Sequence, residues 1–139
     1  MQFTINNLVD TFSKRFHEEF PTLGTFRDSC TSNFGNIRQW LSTYNDGVAF
    51  TVSIETFPSS SDSRSNSNPP FTFNIKTSVY IVGKDEIQRE FNMFRSYDLL
   101  SFRKIPSMLR CFRDDLLSIL RKCSEYLDVS EFTKDIERN

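Results

Sequence analysis

The sequence predicts an α+β fold: an N-terminal helix, a three-stranded antiparallel meander, then two or three C-terminal helices packed on one face of the sheet. Apolar residues recur at helical spacing at the N-terminus and again from Pro106 onward, and two central segments alternate with period two. Pro21, the Asn45-Asp46-Gly47 turn and the Ser/Asn/Pro-rich stretch 58–70 fall between these blocks.

In the first block, Ile5, Leu8, Val9, Phe12, Phe16 and Phe20 lie on one helical face, with Thr4 placed to cap the start and Pro21 to end the run. Residues 22–35 mix Thr, Ser, Gly and Asn without a period and read as loop. Over 36–44, Ile37, Trp40, Leu41 and Tyr44 fit a helical face. The following Asn45-Asp46-Gly47 turn and the strand behind it favour a β-strand instead. Strands are expected at 48–57, where Val48, Phe50, Val52 and Ile54 alternate with polar or small residues, and at 71–82, where Phe71, Phe73, Ile75, Val79 and Ile81 do so. The Ser/Asn/Pro-rich stretch 58–70 between them has no apolar residue except proline and reads as a flexible hairpin tip.

Beyond Gly83, Ile87, Phe91 and Phe94 predict a helix capped by Asp85 and ending near Leu100. A longer helix over 106–127 takes Pro106 in its first turn and carries Leu109, Phe112, Leu116, Ile119, Leu120, Cys123 and Leu127 on one face. Asp128 and Glu131 form a capping box for a last helix over 129–137. No repeat or composition boundary divides the chain, so residues 1–139 read as one domain.

Composition narrows the function classes. The 139 residues carry a net charge of −1, too little for a global field that would draw the chain to nucleic acid or an anionic membrane. No run is long enough to span a bilayer and no leader-like segment opens the chain, so no membrane partner is expected. Cys30, Cys111 and Cys123 are odd in number and form no CxxC, which fits free thiols in the cytoplasm. The many Phe, Asn and Ser beside a single Ala suggest an A/T-biased coding sequence, as in viruses and mobile elements, against which 11 Arg to 6 Lys weighs. The 15 phenylalanines predict a ring-rich core with edges left at the surface, a pointer to a partner.

Catalytic motifs are missing from the sequence: no Gly-rich phosphate loop, no HExxH, no Gly-x-Ser-x-Gly and no Cys/His ligand set, so neither catalytic nor metal residues are assigned and no cofactor is expected. The single histidine, His17, reads as a solvated residue on the first helix, and nothing in the sequence brings Cys30 to it. Glu18-Glu19 and Asp114-Asp115 are adjacent pairs whose side chains diverge on a helix.

Two surfaces remain as binding candidates. Arg110, Arg113 and Arg121 fall opposite the apolar face of the 106–127 helix, with Arg103 and Lys104 nearby. This arginine ridge suits phosphate or carboxylate, although a packed helix needs a charged outer face in any case. Tyr80 and Val82, with Trp40, form an apolar spot on the sheet face away from the helices, which predicts a homodimer. The sequence therefore predicts a non-enzymatic protein-interaction module with a protein partner, and as its alternative an RNA-binding protein using the ridge.

Overall fold

The structure, a computed structural model, describes residues 1–31, 36–45, 47–59, 68–83 and 87–137. Helix α1 spans Ile5–Glu19. Thr4 holds extended backbone before it, and its Oγ1 accepts from the Asn7 N–H at 3.1 Å. Ile5, Leu8, Val9, Phe12 and Phe16 are buried as the spacing predicts, and Pro21 opens a short 3-10 turn that ends the helix.

Among the described residues the sheet has five strands rather than three: four long ones and a short strand at one edge. They are β1 (Arg27–Thr31), β2 (Ile37–Asn45), β3 (Val48–Pro58), β4 (Phe71–Val82) and β5 (Ile87–Leu99), each antiparallel to the next in chain order. The expected meander is β2 to β4, and Gly47 (φ +90°) supplies the left-handed residue of the β2–β3 turn. The hairpin tip between β3 and β4 is closed at its base by Ser59 N–H donating to Pro70 O at 3.1 Å; residues 60–67 of the predicted loop lie outside the described residues.

Two expectations are corrected. The loop predicted over 22–35 contains β1, a polar five-residue strand whose sequence, Arg27-Asp-Ser-Cys-Thr31, has no apolar alternation to betray it. The helix predicted from Ile87 to near Leu100 is β5; its proposed cap, Asp85, lies outside the described residues. On β5 the helix-side row is Arg89, Phe91, Met93, Arg95, Tyr97 and Leu99, so two arginines interrupt the apolar alternation. Arg95 reaches Asp115 with two hydrogen bonds of 2.8 and 2.9 Å, which holds its guanidinium pKa above the ordinary value. Arg89 stacks its guanidinium 4.5 Å from the Tyr126 ring centroid.

Helix α2 runs Ile105–Cys123 behind a 3-10 turn at Phe102–Lys104, with Pro106 in its first turn. It stops four residues short of the predicted end because the chain tightens into a turn, Tyr126 and Leu127 both donating to Cys123 O at 2.9 and 3.0 Å. Helix α3 (Ser130–Glu137) is opened by Asp128, whose Oδ1 accepts from Ser130 N–H at 3.0 Å and from Ser130 Oγ–H at 2.7 Å. These bonds hold the Asp128 carboxyl below its ordinary value. The stabilisation is thus complete above the ordinary Asp range and fades as pH falls through the lower folded value. Glu131 turns toward Lys134, at 3.8 Å, rather than completing the box.

Helices α1, α2 and α3 pack on one face of the sheet. Phe12 of α1 meets Phe73 of β4 at 4.7 Å between centroids, Phe112 of α2 meets Phe16 at 5.1 Å and Phe20 at 5.2 Å, and Phe132 of α3 meets Phe50 of β3 at 6.4 Å. The strands bury their inward residues, Phe50, Val52, Ile54, Phe71, Phe73, Ile75, Val79 and Ile81 among them. Thr56 sits among them, its Oγ1 buried without a hydrogen-bond partner among the described residues.

Candidate functional site

Because the helices take one face, strand alternation sends every second residue of β2 to β5 to the other, uncovered face. The register resolves this face into cross-strand rows. One row runs through all five strands: Arg27, Trp40, Ser53, Lys76 and Phe94. The row on one side is Arg38, Glu55, Asn74 and Ser96, with Arg38 Nε–H bonded to Glu55 and Ser96 Oγ–H to Asn74 Oδ1 at 2.6 Å. On the other side is Ser42, Thr51, Ser78 and Asn92, a polar strip in which Ser78 Oγ–H donates to Asn92 Oδ1 at 2.7 Å. Beyond that strip come Tyr44, Ala49, Tyr80 and Glu90.

Trp40 and Phe94 stand at the two ends of a trough of about 400 Å³ whose floor is Ser53 and Lys76, flanked by Arg38 and Glu55. The volume is that of a ligand cleft. Trp40 is 41% and Phe94 62% exposed, so both rings present area to solvent that a packed sheet residue would bury. Neither Lys76 nor Arg27 belongs to any ion pair among the described residues. On each strand the alternation that buries the core side chains also sends this set outward: Ile75 inward puts Lys76 outward, and Leu41 inward puts Trp40 outward.

No protein-family model, curated protein or solved structure matches the chain.

The structure separates the predicted self-association residues. Tyr80 and Val82 lie toward one end of β4 beside Tyr44, which is 64% exposed, whereas Trp40 lies across the polar strip from them and shares its trough with Phe94. Phe94, expected on a helix, stands instead on β5 and completes the trough; the period-two spacing of Phe91, Met93, Tyr97 and Leu99 is the signal that places it outward.

The arginine ridge is also divided. Arg103 and Lys104 are exposed in the 3-10 turn, and Arg110 and Arg121 are exposed on α2. Asp114 is exposed within about 40° of both on the wheel, at about 100° per residue. Arg113 leaves the ridge altogether. Its side chain is 15% exposed, with Nη2 3.0 Å from Glu19 Oε2, Nε–H donating to Ile136 O at 3.1 Å, and the guanidinium 4.9 Å from the Phe20 centroid.

The remaining reactive groups are scattered. His17 is exposed on α1, and the Cys30 side chain lies outside the described residues, so a dyad between them has no geometry to support it. Cys123 is buried, which pushes its thiol pKa up, and Cys111 is half-buried beside Tyr97. Burial first, and Cys111 second, raise the Tyr97 hydroxyl pKa. Among the described residues no three His, Cys, Asp or Glu side chains gather as a metal site, and no helix is long and apolar enough to cross a membrane.

Proposed function

We propose that the chain is a non-enzymatic binding protein whose working surface is the uncovered face of its sheet. The observation that carries this reading is the pair of exposed rings, Trp40 and Phe94, held at the two ends of one trough on a rigid four-strand platform. Aromatic side chains with few rotatable bonds, fixed on strands, lose little entropy on binding and bury large areas. Three cysteines without a pairing pattern support a reducing, cytoplasmic setting. The test is affinity isolation from the native source with the wild-type chain and with Trp40→Ala/Phe94→Ala. The specific partner should be lost with the double variant while the melting temperature is kept. Retention of the same partner by the double variant would refute the surface, and turnover of a metabolite by the purified chain would refute the class.

A homodimer is proposed on the same face, confined to its Tyr44–Tyr80 end. Tyr44 is exposed there and Val82 continues the patch, whereas the polar strip separates Trp40 from it. Light scattering across a wide concentration range should return a dimer mass that falls to a monomer with Tyr80→Asp. A monomer mass for the wild-type chain throughout would contradict the dimer.

A further inference from the structure

We infer that the trough between Trp40 and Phe94 binds single-stranded nucleic acid, the bases stacking on the two rings and the phosphates meeting Arg27 and Lys76. The inference rests on the reading of the uncovered face as the working surface and names the class of its ligand.

Along one cross-strand row the side chains run cation, aromatic, Ser53, cation, aromatic. That row contains no anion. The acidic residue that flanks it, Glu55, is neutralised by Arg38, and among the described residues Lys76 and Arg27 have no ion-pair partner. A ligand that lies along the row must therefore supply negative charge and flat apolar surface in alternation. A polynucleotide single strand does both, since every base has a π-face and every linkage carries a charge.

Geometry agrees with the chemistry. Trp40 and Phe94 lie three strand positions apart, about 14 Å at the usual spacing between neighbouring strands. Bases can reach both rings only if they are unstacked from one another, which selects a single strand over a duplex. A protein partner would favour the opposite arrangement, with apolar groups at the centre of the patch and charge at its rim. Here Lys76 and Ser53 form the floor and the rings form the ends. The net charge of −1 is no obstacle, because the attraction is local to this row.

Trp40 is the only tryptophan in the chain, so indole fluorescence, excited selectively over the four tyrosines, reports on this trough alone. Titration at low salt with an eight-nucleotide oligothymidylate should quench it, whereas polyacrylate of equal charge and a duplex of equal length should bind less tightly. Anisotropy of the same oligonucleotide, fluorescently labelled, then reads the variants. Phe94→Leu should weaken binding about tenfold by removing a stacking face while keeping apolar bulk, and Trp40→Phe should retain most of the affinity. Lys76→Ala and Arg27→Ala should each flatten the slope of log affinity against log salt by about 0.7.

Equal affinity for single strand, duplex and polyacrylate would overturn the stacking inference. So would failure of the oligonucleotide to bind while Trp40→Ala/Phe94→Ala still abolishes capture of a protein, which keeps the face and changes the ligand class. Oligonucleotide binding that ignores the sheet variants and is lost with Arg110→Ala/Arg121→Ala would overturn both the inference and the choice of face.

Discussion

Replacing Phe112 by alanine is expected to lower the free energy of unfolding by about 3–5 kcal/mol. Its ring is 3% exposed and lies where α2, the N-terminal segment and the sheet converge, 5.1 Å from Phe16 and 5.2 Å from Phe20 of the N-terminal segment and 6.3 Å from Phe50 of β3. Removing it opens a cavity bounded by rings that are themselves fixed by backbone on different elements, so the gap cannot close by one side chain moving. Urea denaturation of the wild-type and variant chains measures the effect; a loss below about 1 kcal/mol would mean that α2 does not seat on the sheet through this ring.

Arg113→Ala should cost about 1.5–3 kcal/mol, the range for hydrogen bonds to a charged group. The guanidinium joins three helices: it pairs with Glu19 at the end of α1, caps Ile136 O in α3, and lies over the Phe20 ring. Arg113→Lys should not restore the loss, because an ammonium has one centre where these contacts use a fork and a flat face. Arg110→Ala and Arg121→Ala, both at exposed positions, should stay within about 0.5 kcal/mol. Equal, small effects at all three positions would return Arg113 to the outer surface and revive the ridge.

The contrast shows what the sequence could reveal. Helical spacing placed α1 and the core face of α2 because those helices bury one stripe and leave the other wet, so period and burial coincide. The alternation of β3 and β4 was equally legible, since both strands lie inside the sheet with one face covered. Strand β5 was hidden by Arg89 and Arg95 on its core side, which leave Ile87, Phe91 and Phe94 as an accidental helical set. Their charges are met by Tyr126 and Asp115 from beyond the strand, partners that no local pattern contains. Strand β1 has too few apolar residues to carry a period at all.

The candidate site was half legible for the same reason. Trp40 is legible as an outward ring from its own strand, but its neighbour across the trough, Phe94, is identifiable only from the register of β5. Arg113 looked like its exposed neighbours because helical geometry gives direction and not surroundings; α1 and α3 close over it from elsewhere in the chain.

On this reading the partner binds the uncovered sheet face and not the arginines of α2. Chemical-shift mapping of the isotopically labelled chain during titration with the single-stranded oligonucleotide tests it most directly. The Trp40 indole N–H and the amides of Ser53, Lys76 and Phe94 should shift together with one affinity, while Arg110 and Arg121 stay in place. Shifts centred on Arg103, Arg110 and Arg121 with the Trp40 indole unmoved would contradict it.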